Sequence, residues 1–211
     1  MAAVIDLDDR SLGDYRDIIR DKGLLTVEVP AEAGGNMNRA LNWAVGGSDE
    51  TGVQPPDPLT DEFGIIGFIG DDHRFRTPGW DLLVEDALDL GGIAYGDDLA
   101  QRQALPTQVF ISSKIVEALG WMGLPGAKHL YLDNAWRTLG EGAGCLYYLS
   151  NVVIEHLHPA HNPSVPWDEN HRRVNTKEMY EHDAQVYAKW LEHQASIDIQ
   201  IVREVLRAHH H

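Results

Sequence analysis

Apolar positions along the chain alternate between a period near two and a period near 3.6, and the changes of period divide it into short strands and helices. Ala2 to Ile5 is a brief apolar run that ends in Asp6-Leu7-Asp8-Asp9, and Ser11 to Arg20 then sets Leu12, Tyr15, Ile18 and Ile19 on one side of a helix. Leu24 to Val29 alternates as a second strand, closed by Pro30. Asn36 to Val45 has helical spacing through Met37, Ala40, Leu41 and Ala44, with Asn36 as cap. Strand, helix, strand, helix predicts a parallel sheet. Gly46 to Asp61, rich in Gly, Pro, Asp and Thr, predicts a surface loop.

The next apolar run, Gly64 to Ile69, is short enough for a buried strand, and it stops at Gly70 with Asp71, Asp72 and His73 immediately behind. Arg74 to Gly79 reads as a turn into a helix from Trp80 to Leu90, with Thr77 as cap and Pro78 at its first position. Ile93 to Tyr95 is a strand ending in Gly96-Asp97-Asp98, and Pro106 to Ser112 is another. Ser112 or Ser113 caps a helix from Lys114 to Leu119 that Gly120 ends. His129 to Trp136 passes from an extended piece into a helix holding Trp136 and Leu139. Cys145 to Ile154 is a strand leading into Glu155-His156-Leu157-His158-Pro159, and Pro159 to Arg173, without apolar periodicity, reads as loop. From Asn175, with Glu178 completing a capping box, one long helix or two abutting ones run to about Arg207, with Met179, Val186, Trp190, Ile197, Ile201 and Val205 on the apolar face. The expected fold class is α/β: a sandwich with a mainly parallel central sheet flanked by helices. Residues 1–174 form the domain, and a C-terminal helix, 175–208, packs on it.

Composition narrows what such a fold can do. A chain of 211 residues supports one sizeable core. A formal net charge of -16 and a pI near 4.9 argue against a nucleic-acid surface, which needs a basic stripe, and against a polybasic membrane anchor. No apolar run reaches the roughly 18 residues of a membrane span, and the first residues lack a basic region followed by an apolar one, so a cytoplasmic protein is expected. The one cysteine, Cys145, excludes an intramolecular disulfide and, among Gly142, Gly144, Leu146 and Tyr147, reads as a small buried residue. The terminal His209-His210-His211 is set aside from the site.

Three sets of residues carry candidate chemistry. Asp71 and Asp72 offer hard oxygen donors, and His156 and His158 alternate on an extended segment, so one of the two faces a given site. A mixed carboxylate and imidazole set suits Mn or Mg bound together with substrate phosphates. The alternative is a solvated turn after a strand and a strand end with one buried and one exposed histidine. Asp133, three residues before Trp136, can serve as a general base beside an aromatic wall or as a helix cap. Arg39, Arg74, Arg76 and Lys114 are local cations for a polyanionic ligand, Trp80 belongs to the core, and Trp136 can stack on a sugar. No phosphate loop, dinucleotide fingerprint or nucleophile elbow is present.

In order, these pieces resemble the GT-A fold glycosyltransferases, most closely the family-2-like proteins of phages. The matching segments span most of residues 2–160: Val4-Ile5-Asp6-Leu7-Asp8-Asp9, the Gly-Gly-Asn-Met-Asn-Arg-Ala-Leu-Asn-Trp-Ala helix, Gly-Phe-Ile-Gly-Asp-Asp-His with Thr-Pro-Gly-Trp-Asp, His-Leu-Tyr-Leu-Asp-Asn-Ala-Trp, and Glu-His-Leu-His-Pro. The resemblance implies a metal-dependent transferase moving a sugar from a nucleoside diphosphate sugar, UDP-linked by expectation, to an acceptor hydroxyl with inversion. It implies that Asp6 or Asp8 touches the base, Asp71 the ribose and Asp72 the metal, with Asn38 and Arg74 also on the donor. Asp133 stands as catalytic base, His156 completes the metal site with His158 as substitute, and Trp136 and His129 face an acceptor. Family members carry a further strand, a Pro-Thr-Arg-like loop and a helix ahead of the counterpart of Ala2. Without that unit the expectation is a shortened chain, a sheet completed by another chain in a homo-oligomer, or a weak donor site. A metallophosphoesterase and a noncatalytic sugar- or nucleotide-binding module are the alternatives.

Overall fold

The computed structural model describes residues 2–7, 12–22, 25–31, 36–46 and 59–209. Strands β1 (Ala2–Asp6) and β2 (Leu25–Val29) pair in parallel, with helix α1 (Leu12–Lys22) between them in sequence. Helix α2 (Met37–Ala44) follows and is capped by Asn36, whose side chain accepts from the Arg39 N–H as its position predicts. Val29 and Trp43 are buried between this pair of strands and α2. The expected loop from Gly46 lies mostly outside the described residues and closes on a one-turn helix, α3 (Leu59–Glu62).

The larger sheet is built from β3 (Ile65–Phe68), β4 (His73–Phe75), β5 (Ile93–Asp97), β6 (Val109–Ser112) and β7 (Leu146–His156) in the order β3-β6-β5-β7-β4. Here the expectation of a mainly parallel central sheet is corrected. Only β5 and β7 run parallel, while β3–β6, β5–β6 and β4–β7 are antiparallel. Apolar runs of four or five residues report burial but not direction, and direction follows from the connections, which periodicity does not record.

Helix α4 (Trp80–Ala87) covers one side, packing Val84 and Leu88 against Ala94, Phe110, Val152 and Ile154. The other side carries α5 (Ser113–Leu119), α6 (Leu132–Ala143), α8 (Lys177–His193) and α9 (Ala195–His209), and α7 (Glu169–Val174) precedes α8. The C-terminal segment is thus two abutting helices. Trp190, Ala195 and Val202 share one buried cluster with Ile115, Trp136 and Leu139, so these helices complete the core rather than decorate it. The Trp190 indole and the Gln194 amide both donate to buried Asp198 across the break between α8 and α9. That break turns the helix face: Ile197 is exposed and Val202, not Ile201, is fully buried. Among the described residues no helix is long and apolar enough to cross a membrane. Cys145 is buried, and burial pushes its thiol up to about 11, which fits the packing role its small neighbours predict.

Two local departures matter for the site. Thr77 does not cap α4, whose capping residue is Gly79 in the left-handed region. The Thr77 hydroxyl instead donates to the Asn151 carbonyl and accepts from the Val153 N–H. It satisfies β7 where that strand bulges, the pairing slipping from Gly96↔Leu149 to Asp97↔Val153. Gly96 is required at this slip, because a Cβ there would lie 2.4 Å from the Val152 carbonyl oxygen. Gly96→Ala is therefore expected to destabilise the protein by about 2 kcal/mol, the usual cost of forced overpacking, measured as a lower urea midpoint with unchanged slope. An unchanged midpoint would show that the bulge can relax.

Candidate metal centre

The turn after β3 and the end of β7 meet because β4 and β7 pair in antiparallel register with His73 opposite His156. Directly opposed side chains in such a pair lie within contact distance, and the two imidazoles stack with centroids 4.2 Å apart and planes 12° apart. The Leu157 N–H donates to the Asp72 carbonyl and the His73 N–H to the Gly70 carbonyl, so the turn holding Asp72 is closed on itself and tied to the residue that follows β7.

The Asp72 carboxylate reaches the edges of both rings, with Oδ2 at 3.1 Å from His156 Nε2 and Oδ1 at 3.2 Å from His73 Nδ1. Burial alone would raise its proton affinity, but the hydrogen bond with His156 and the charge of the adjacent His156 and His73 rings hold it well below the usual carboxylate range. A ring nitrogen without hydrogen and a carboxylate oxygen are both acceptors, so such contacts need a proton or a cation between them. The unpartnered atoms concentrate in the same place. Both ring nitrogens of His73 and Nδ1 of His156 are buried without a hydrogen-bond partner.

One possible ligand atom from each of Asp72, His73 and His156 fits within 4.8 Å. Ring lone pairs lie in the ring plane, and two nearly parallel stacked rings cannot both aim at one ion. Asp72 with His156 is the pair suited to a cation, at a spacing matching neighbouring ligands about 3.0 Å apart on an ion with bonds of about 2.1 Å. His73, packed behind them and almost fully buried, orients the carboxylate. His158 lies beside His156, with centroids 5.4 Å apart, and its Nδ1 is engaged by the Ala160 N–H. Burial and the neighbouring His156 and His171 imidazoles, outweighing Asp72, lower His158 to about 4, which keeps the ring neutral at neutral pH.

The other candidate residues sort into those near this centre and those used elsewhere. Asp133 occupies the first turn of α6 behind Tyr131, a non-glycine residue at φ 63°. Burial raises its proton affinity, opposed by the Asn134 backbone N–H that it accepts from and by the charge of His156. His129 is half-buried, and burial, then Arg173, lowers its proton affinity against the pull of Asp183 and Asp72. The segment carrying both is pinned from α8, where the buried Asp183 carboxylate accepts from the backbone N–H groups of Lys128, His129 and Leu130. Asp71 is exposed, and the Arg74 guanidinium turns back to the Asp71 and His73 carbonyls. Asp6 ends β1, its side chain outside the described set, and Asp8 lies outside the described residues altogether.

Two assignments are corrected. Trp136 is 1% exposed and its indole N–H donates to the Met122 carbonyl, so it forms core and has no face left for a sugar. Asn38 is 1% exposed and its amide donates to the Leu124 carbonyl, which places it under the 121–124 turn rather than on a ligand. At helical spacing, residues on the inward face of an amphipathic helix are core whatever their chemistry, and Trp136 and Asn38 fall on such faces. The acidic end at Asp97 and Asp98 is also internal: buried Asp98 accepts from the Ala100 and Arg102 N–H groups and from the Thr107 hydroxyl.

Two residues of the centre escape the linear pattern. His73 takes no role from it because its cross-strand neighbour is 83 positions away, His73 being opposite His156. His171 lies in the stretch expected to be loop, which folds into α7 with Asp168 as a side-chain cap on the His171 N–H. The spacing Asp168-x-x-His171 is the available signal, since an acceptor three residues before a helical N–H is a cap signature. Comparison with protein families, with curated proteins and with solved structures finds no match for this chain.

Proposed function

We propose that the protein is a metal-dependent glycosyltransferase that moves a sugar from a nucleoside diphosphate sugar to an acceptor hydroxyl with inversion. The observation that carries this reading is the convergence of Asp72 and His156 on one point, with a half-buried carboxylate, Asp133, close enough to feel the charge of His156. A cation site and a carboxylate of raised proton affinity are the two parts such a transfer needs. A divalent cation, Mn or Mg, bound at Asp72 would supply concentrated neutralising charge for a departing diphosphate on a chain of net charge -16.

The protein's own groups take the remaining roles in this reading. Asp133 accepts the acceptor hydroxyl proton, and Asp71, which is exposed beside Asp72, takes a ribose hydroxyl. His129, on the segment leading to Asp133, borders the acceptor side. His73 and the Leu157 N–H keep the Asp72 turn in place before any ligand arrives.

Titration calorimetry of UDP in the presence and absence of Mn tests the donor half directly. Binding that requires Mn is the expected result. Failure to bind any common nucleoside diphosphate with Mn present would remove the donor assignment, whatever the metal affinity.

A further inference from the structure

The metal-centre reading assigns Asp72 and His156, yet a third imidazole reaches the same carboxylate oxygen from a different element. His171 Nε2 lies 4.0 Å from Asp72 Oδ2, the oxygen that His156 Nε2 approaches to 3.1 Å. On an ion with bonds of about 2.1 Å, neighbouring ligand atoms are about 3.0 Å apart and opposite ones about 4.2 Å. Both spacings to Asp72 Oδ2 fall at and between these limits. The third, between the His156 and His171 rings, is wider, since among the described residues it is Asp72, His73 and His156 that place a ligand atom each within 4.8 Å of one another. One ion shared by Asp72, His156 and His171 therefore requires the His171 ring to swing inward by side-chain rotation.

The far side of the His171 ring is prepared as well. Asp168 Oδ1 lies 2.7 Å from His171 Nδ1, close enough to bond but off the N–H direction, so this nitrogen is buried without a hydrogen-bond partner as the ring stands. A modest turn of the ring aligns that contact and moves Nε2 relative to Asp72. A carboxylate behind a histidine fixes which nitrogen carries the proton and makes the other a better donor to a metal. Trp167 and His158 wall the ring edge-on, at centroid distances of 6.0 and 5.0 Å, which limits its other motions.

We propose that His171 is a third protein ligand of the cation at Asp72 and His156, positioned by Asp168, and that with it the centre takes a first-row ion such as Mn in preference to Mg. Two imidazoles and one carboxylate are a donor set for borderline ions, whereas Mg favours oxygen ligands and retained waters. The proposal rests on the cation half of the function proposed above and not on sugar transfer. It also accounts for α7, since the segment after β7 folds back over the site and brings this ring in.

Pulsed electron paramagnetic resonance of Mn bound to the full chain, combined with calorimetry of Mn alone, tests it. Wild-type protein should show two coupled imidazole nitrogens and should keep Mn against a tenfold excess of Mg. His171→Ala should lose one coupling and bind Mn about 10- to 100-fold more weakly. Asp168→Asn, which preserves the helix cap, should keep both couplings with a smaller loss of affinity. Asp72→Ala serves as the blank for ions held elsewhere. A single coupling in the wild type, or unchanged Mn affinity in His171→Ala while Asp72→Ala loses it, overturns the role of His171 and leaves the cation site standing. No Mn signal above the Asp72→Ala blank overturns both. The wild-type spectrum decides the matter even where a variant fails to fold.

Discussion

On the proposed function, Asp133→Asn is expected to cut sugar transfer by about 10²- to 10⁴-fold while leaving Mn affinity and the melting temperature close to wild type. Asparagine has the shape of the carboxylate and can still accept from the Asn134 N–H through its carbonyl oxygen, so the first turn of α6 is preserved. What it loses is the ability to take a proton. Burial raises the proton affinity of Asp133, and a base must be deprotonated to act. The wild-type activity should therefore fall as pH drops through a value above the usual carboxylate range, and that acid limb should be missing from the residual activity of the variant. Initial rates across pH, with calorimetry of Mn on the same preparations, check both halves. Full activity in Asp133→Asn would reassign the base and leave Asp133 as a residue of the helix start.

Asp183→Ala carries the largest expected effect on stability, a loss of about 3 kcal/mol. The side chain of Asp183 is fully buried, and three consecutive backbone N–H groups, those of Lys128, His129 and Leu130, point at it over 2.7 to 3.0 Å. Alanine leaves those donors without their acceptor and the His182 ring without its partner. Burial alone would raise the Asp183 carboxyl, but the His182 contact and the three backbone N–H groups outweigh it and hold it below its ordinary value. The sign of the linkage follows. Because the folded value is depressed, the stabilisation is complete above the unfolded carboxyl value of about 4 and is lost as pH falls through the folded value. Urea melts at neutral pH should separate wild type from Asp183→Ala by the full amount, and the two should converge in acid. Amide exchange should show residues 128–130 opening first in the variant. Since this segment leads through Tyr131 to Asp133, slower transfer should, on the proposed function, accompany the loss of protection. Equal melts at neutral pH would show that water replaces the carboxylate.

The legible and illegible parts of this chain differ by physical origin. Helices α1, α2 and α5, and strands β1, β2 and β5, are readable because each carries its own period and its own stop signal, such as Asn36 before α2 and Gly120 after α5. Strand β4 is not, because three residues from His73 to Phe75 are too short to display a period and become a strand only by pairing with β7. Helix α7 is hidden for the same reason: six residues, Glu169 to Val174, leave Val174 as the one apolar residue packed inward. Thr77 illustrates the opposite failure. Its position before Pro78 and Trp80 fits a cap, yet the bulge in β7 offers its hydroxyl both a donor and an acceptor.

The candidate site divides along the same line. Local order brings forward Asp72, Asp133 and His156 through acidic and imidazole groups beside apolar segments, but the same signal marks Asp97 and Asp98, of which Asp98 serves the fold internally. Sequence could not separate Trp136 and Asn38 from ligand-facing residues, since the inward face of a helix carries no label saying what it faces. Nor could it set the direction of the sheet, which leaves β5 and β7 as the one parallel pair of the five strands. Tertiary structure decided which imidazoles surround Asp72. His73 is there by cross-strand register, His156 by the end of β7, and His171 by a chain reversal that no period in the sequence announces. Periodicity is a property of neighbouring residues, whereas a site is a coincidence of distant ones, and only the packed core holds that coincidence in place.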